Sequence, residues 1–234
     1  MIAQIIENNK LTDNIFQLKC RVKDYNGFSF EPGQYIIIKK NIDGDVIKRA
    51  YSFSSLPKYL PDFELTIRKH TDGKMSPVLV DLGIGEFFEF LPPMGLFNWK
   101  MVKNRNIVLI AIGCGIAPLK SMIDGWLEKP IKKLNLILFF GNRYPDQVPY
   151  QKYFADLAEK YNNFHFYSCV SRLEKDQDGL FSGRVNEVMS RKYYQYQDTD
   201  FVLCGSDEMI KGMKDFLDKK GVKSDRIYFE NVLA

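Results

Sequence analysis

The chain has little cysteine: Cys20, Cys114, Cys169 and Cys204 are scattered through 234 residues. They form no CxxC pair and have no His at ligand spacing, which argues against a zinc site or an iron–sulfur cluster. No metal ligand set is expected, and so sparse a set of thiols fits a reducing compartment. Long apolar runs are lacking too. No stretch approaches the ~20 residues of a membrane-spanning helix, and the N-terminus, MIAQIIENNKL, has neither the apolar core nor the cleavage site of a secretory signal. A cytoplasmic location with no membrane partner is the expectation. An excess of one charge is also missing, because 33 Lys/Arg against 29 Asp/Glu leave a net charge of +4 with no basic stripe. That disfavours nucleic acid as a partner and allows only a weak preference for acidic ones.

What is present is an ordinary globular composition, 45% hydrophobic and 26% charged, long enough for one large domain or two small ones. The first hundred residues read as short β-branched or aromatic strands at 2–7, 15–22, 34–40, 46–53, 63–69 and 86–91. Turn signals separate them, among them Asn26-Gly27, Pro32-Gly33, Asp43-Gly44, Pro61-Asp62 and Asp72-Gly73. Six short strands and one short helix at 75–82 predict an antiparallel barrel. After Trp99 the basic stretch 100–105 serves as a linker, and strands then alternate with helices. Strands are expected at 107–112, 134–141, 164–170, 200–204 and 226–230, and helices after Pro118, at 150–161 and at 207–219. This is the pattern of a parallel sheet with crossover helices. The domains are drawn at 1–101 and 102–234.

The organising stretch is NIVLIAIGCGIAPL, residues 106–119. An apolar strand runs into Gly113, Cys114 and Gly115, where residues without a Cβ let the backbone bend and approach a ligand. Pro118 suits a helix's first turn, and Leu119, Met122, Ile123, Trp126 and Leu127 then fall on one helical face. Strand, glycine turn and helix start make either a phosphate cradle or a plain tight turn. In an open parallel sheet, ligands bind beyond the carboxyl ends of the strands. The residues there are Gly113–Gly115, Gly141-Asn142-Arg143, Ser171-Arg172 and Cys204-Gly205-Ser206. Two glycine turns and two arginines at one sheet end suit an anionic nucleotide, with Arg172 able to grip a phosphate bidentately. In the first domain, Arg49 and Tyr51 of RAYS alternate onto one strand face. They could serve as a cation and ring for a ligand, but the residues alone favour a half-exposed strand with Tyr packed in a groove.

Taken together these motifs resemble the ferredoxin–NADP reductase superfamily over nearly the whole chain. The marks are RxYS at Arg49, Tyr51 and Ser52; GxxS at Gly73, Lys74, Met75 and Ser76; PxGxF at 93–97; GxGxxP at 113–118; and the pair Cys204-Gly205. The resemblance implies a six-stranded antiparallel FAD-binding β-barrel followed by a parallel-sheet α/β NADP-binding domain. In it Arg49 holds the flavin pyrophosphate, Tyr51 lies against the isoalloxazine and Ser52 hydrogen-bonds its N5. Ile67 and Arg68 lie beside the flavin phosphates, and Gly73, Lys74, Met75 and Ser76 cradle the pyrophosphate, which implies FAD rather than FMN. Gly113, Cys114, Gly115 and Ile116 hold the dinucleotide. Arg143, Ser171, Arg172 and Arg184 clamp a 2′-phosphate, and Cys204 with Gly205 sits at the nicotinamide. Glu230 resembles a carboxylate that handles protons near the flavin, although it reads equally as an ordinary exposed carboxylate. The catalytic set is thus Ser52, Cys204 and Glu230. The chain ends in Leu233-Ala234 where many members carry an aromatic ring over the flavin.

The implied activity is an FAD-dependent oxidoreductase. It takes a hydride from NADPH and passes single electrons to, or from, a small redox protein such as ferredoxin or flavodoxin. Three other readings stay open: an NADH-dependent reductase component of an oxygenase system, a free-flavin reductase, and an electron-transfer subunit of a larger complex.

Overall fold

The computed structural model describes residues 1–129 and 131–231. The chain divides into two compact units, Met1–Trp99 with Ala117–Gly125, and Lys100–Ile116 with Trp126–Ala234.

The first unit is built on β1 (Ile2–Lys10), β2 (Ile15–Val22), β3 (Tyr35–Ile42), β4 (Asp45–Ser52), β5 (Asp62–Arg68) and β6 (Phe87–Phe90), with the short helix α1 (Met75–Val80) between the last two. The strands form one antiparallel six-stranded sheet in the order β4-β3-β6-β1-β2-β5. An antiparallel bridge between Phe53 and Leu65 brings the two edge strands together, so the sheet closes on itself. Alternation fills the interior: Leu18 and Cys20, Ile36 and Ile38, Leu65 and Ile67, Phe88 and Phe90 are all inward and buried. Phe30 and Phe53 stack at 3.8 Å within that core, and Phe63 meets Phe53 edge-on at 5.4 Å.

The second unit carries β7 (Asn106–Ile112), β8 (Asn135–Asn142), β9 (Phe164–Val170), β10 (Leu180–Ser182), β11 (Thr199–Gly205) and β12 (Ile227–Asn231). They form a parallel sheet in the order β10-β9-β8-β7-β11-β12. Helix α2 (Ile116–Leu127), whose residues 117–125 belong to the first unit, links β7 to β8, and α3 (Gln151–Lys160), α4 (Val185–Lys192) and α5 (Asp207–Lys219) connect the later strands. Strands β7, β8 and β11 are almost wholly buried apolar runs, as a sheet covered on both faces requires. Strand order reverses beside β7, whose neighbours are β8 and β11, so the topological switch point lies between β7 and β11. The buried Asp200 at the start of β11 accepts from the Lys103 N–H at 2.5 Å, the Asn104 N–H at 2.8 Å and Asn104 Nδ2 at 2.7 Å. That carboxylate fastens the segment entering β7.

Strand β10 and helix α4 are additions to what the sequence suggests. Three residues of β10 carry no usable period. Helix α4 buries only Val185, Val188 and Met189 of its eight residues, a stripe too short to stand out. Among the described residues no helix is long and apolar enough to cross a membrane, and no cluster of His, Cys, Asp and Glu is placed to hold a metal ion.

Candidate active site

In the first unit the RAYS segment is the end of β4. Its antiparallel register sets Arg49 opposite Ile38 and Tyr51 opposite Ile36. Directly opposed residues share a sheet face, so Arg49 and Tyr51 do point the same way. Tyr51 is half-buried against the barrel core, whereas Arg49 is exposed, with Nη1 donating to the Lys48 carbonyl at 2.8 Å. Ser52 pairs with Tyr35 at the strand's last position.

On β5, Ile67 is buried in the barrel core, so it can offer a ligand only its main chain. Arg68 Nε is buried with no hydrogen-bond partner among the described residues. An orphaned guanidinium nitrogen is costly unless something accepts from it, and an anionic phosphate oxygen would do so. This observation fits the phosphate-bearing part of FAD. The loop after β5 folds into a tight turn in which the Gly73 N–H donates to the His70 carbonyl at 3.0 Å and the His70 N–H donates to Ser76 Oγ at 3.0 Å. A Cβ at Gly73 would sit 3.1 Å from His70 Cβ. Lys74 reaches Asp45 at 3.2 Å, and Met75 points into the core. Ser54, two residues past Ser52, has a buried Oγ with no partner among the described residues. Sequence reasoning did not single out this hydroxyl, because a serine in a serine-rich strand end carries no signal of its own.

In the second unit the glycine turn closes β7 as one turn of 3₁₀ helix and runs directly into α2. Gly113 adopts φ +50°. Gly115 lies so close to β11 that a Cβ there would be 2.1 Å from the Cys204 carbonyl oxygen. A Cβ at Gly205 would be 2.7 Å from Ile112 Cγ1. Gly115 and Gly205 therefore let the turn after β7 and the end of β11 meet at the switch point. Cys204 is buried, and burial, then the Glu230 carboxylate, then Cys114, push its thiol well above the usual range. At neutral pH it is a thiol, a neutral packing group and not a nucleophile. Glu230 lies beside it in parallel register on β12, and burial raises its carboxyl to about 7. A half-buried carboxyl poised there can hold or release a proton near neutral pH.

Main-chain hydrogen bonds bring the basic residues together. The Arg172 N–H donates to the Arg143 carbonyl at 3.0 Å, the Ser171 N–H to the Asn142 carbonyl at 3.1 Å, and the Gly183 N–H to the Val170 carbonyl at 3.0 Å. Arg184 follows as the N-cap of α4, its N–H donating to Glu187 at 2.8 Å. All three arginines are exposed. Asn142 Nδ2, between Gly141 and Arg143, is a buried donor with no partner among the described residues. Leu233 and Ala234 lie outside the described residues.

Family models match both units: an oxidoreductase FAD-binding domain over residues 3–99 and an oxidoreductase NAD-binding domain over 109–215. Among curated relatives, the toluate 1,2-dioxygenase electron transfer component of Pseudomonas putida is 28% identical over 99% of this chain and 67% of its own length. The anthranilate 1,2-dioxygenase electron transfer component of Acinetobacter baylyi is 29% identical over 87% of this chain and 58% of its own length. The chain thus spans from under three-fifths to two-thirds of the length of these relatives. Among solved structures, a ferredoxin NADP+ reductase from Neisseria gonorrhoeae with bound FAD and NADP superposes with a TM-score of 0.85 at 22% identity, covering 100% of this chain and 98% of that one. With an FAD-binding and an NAD-binding domain in this order on this fold, the chain belongs to the ferredoxin–NADP reductase superfamily and is an oxidoreductase.

Proposed function

We propose that the protein transfers a hydride from NADPH to bound FAD and then passes electrons singly to a small redox protein such as ferredoxin or flavodoxin. FAD supplies the redox chemistry, a two-electron acceptor at N5 that can release its electrons one at a time. The chain's own part is to bind, orient and tune. Arg49 and the orphaned Arg68 Nε hold the flavin phosphates with the Gly73, Lys74, Met75 and Ser76 turn, Tyr51 shields one ring face, and Ser52 donates toward N5. Gly113, Cys114, Gly115 and Ile116 receive the dinucleotide pyrophosphate at the start of α2, where the helix dipole favours an anion. Cys204 and Gly205 give the nicotinamide a neutral, close-packed seat, and Glu230 manages a proton.

The preference for NADPH over NADH is carried by one observation, the joined backbones of Arg143 and Arg172 at the carboxyl ends of β8 and β9. NAD-binding sheets tend to place an acidic residue near the ribose; here Ser171-Arg172 follows β9, with Arg184 close behind. The test is the apparent affinity for NADPH and NADH in wild type and in Arg172→Ala. A charge-assisted contact contributes about 1.5–3 kcal/mol, so NADPH binding should weaken by roughly tenfold to a hundredfold with NADH little changed. Equal loss for both nucleotides would refute the assignment.

The likeness to two dioxygenase electron transfer components favours a second reading, a reductase component that feeds an oxygenase system. Electron transfer to a separately supplied oxygenase, faster with NADH than with NADPH, would establish it over the first.

A further inference from the structure

The helix α2 is buried on more than its apolar face. Lys120 and Ser121, which amphipathic spacing would turn to solvent, are 6% and 0% exposed. Both reach the backbone immediately beyond Ser52. Lys120 Nζ donates to the Ser54 carbonyl at 3.0 Å, and Ser121 Oγ donates to the Ser55 carbonyl at 2.6 Å. The other side of this short segment is held by β5: the Ser54 N–H donates to the Glu64 carbonyl at 2.8 Å, and the Glu64 N–H donates to Ser55 Oγ at 2.9 Å. Lys120 is itself fixed by Asp124 at 3.1 Å and faces Glu64 at 3.8 Å, and Gln17 donates to the Glu64 carboxylate at 2.9 Å. All of these groups belong to the first unit.

A single serine after a strand does not need a buried lysine to terminate it. Burying that ammonium costs several kcal/mol unless it is paired and hydrogen-bonded, and here it is paired with Asp124 and donates to a carbonyl two residues from Ser52. We infer that Lys120 and Ser121 are positioning residues. By clamping the Ser54 and Ser55 carbonyls they fix the backbone that carries Ser52, and so aim its hydroxyl at the reacting edge of the flavin. This inference rests on the functional reading above. It adds residues on α2 that touch neither flavin nor nucleotide and act through the strand end. Reaction rates are steeply sensitive to such aim, because a misplacement of about 1 Å can cost roughly a hundredfold.

The experiment uses the FAD-loaded protein, with Lys120→Met, Lys120→Arg and Ser121→Ala compared against wild type. Flavin reduction by NADPH is followed by anaerobic stopped-flow, which separates the limiting rate from the apparent dissociation constant. The expected result is a limiting rate lowered about tenfold in Lys120→Met and severalfold in Ser121→Ala. NADPH and FAD affinities should stay within about twofold of wild type, the visible flavin band should shift, and Lys120→Arg should recover much of the rate. Ser121→Ala removes one hydrogen bond and leaves no buried charge unpaired, so it remains informative if Lys120→Met fails to fold. Variants that melt earlier yet reduce their flavin at the wild-type limiting rate would overturn the inference and leave the functional reading intact. A wild-type protein that takes up no FAD, or is not reduced, would overturn the functional reading itself and this inference with it.

Discussion

Replacing Glu230 with Gln tests the electrostatics of the candidate site without changing its shape. Burial raises this carboxyl from 4.5 to about 7. The folded chain therefore keeps a proton that the unfolded chain has already released throughout that interval. Stability then falls as pH rises from about 4.5 to about 7, because the folded state binds more protons than the unfolded state, and the full penalty is present above pH 7. The whole rise corresponds to about 3 kcal/mol. Gln resembles the protonated acid and cannot ionise, so the difference between variant and wild type should be near zero at pH 4.5. At pH 8 it should grow to about 3 kcal/mol in favour of Gln. Urea unfolding of both proteins at matched pH reads this directly, since every other titrating group cancels in the difference. A stability difference that stays flat between pH 4.5 and 8, or that favours Glu at high pH, would refute the claim that burial governs this carboxyl.

Two further outcomes follow from the packing. Gly115→Ala would place a Cβ 2.1 Å from a carbonyl oxygen of the buried strand β11, so thermal melts should show a loss of about 1–3 kcal/mol. Nucleotide affinity should fall, with FAD affinity unchanged. Asp200→Ala leaves three donors in the β7 entry segment without their acceptor. Denaturant unfolding should report a loss of about 1–3 kcal/mol, while a loss well below about 1 kcal/mol would show that water substitutes for the carboxylate.

The two-unit plan was legible because each half keeps one hydrophobic period for long stretches. Strand β9 and helix α5 begin and end where the sequence puts them. Strand β9 carries Phe164, Phe166 and Tyr167 and ends on Val170, and α5 has Ser206 as its cap, with Oγ accepting from the Met209 N–H at 3.3 Å. The motif residues were legible for a related reason. Glycines in a βα turn and an arginine after a strand announce themselves locally, and the register then sets Arg49 and Tyr51 on one face. What stayed hidden depends on partners far away in sequence. Lys120 reads as a solvated charge on the polar side of α2, and only the barrel strand end, 66 residues earlier, makes it a buried clamp. The orphaned atoms of Ser54, Arg68 and Asn142 are equally silent, since a side chain lacks a partner only in the context of everything around it. Glu230 reads from the sequence equally as a functional and as an ordinary carboxylate, because its burial beside Cys204 depends on which strand β12 pairs with.

In the proposed function the first unit binds FAD and NADPH reduces it. The most direct measurement is the visible absorption spectrum of the purified protein, recorded before and after anaerobic addition of NADPH. A yellow protein that retains FAD through gel filtration and is bleached by NADPH is the predicted result. A colourless protein that takes up no added FAD would rule out a flavin site in this chain.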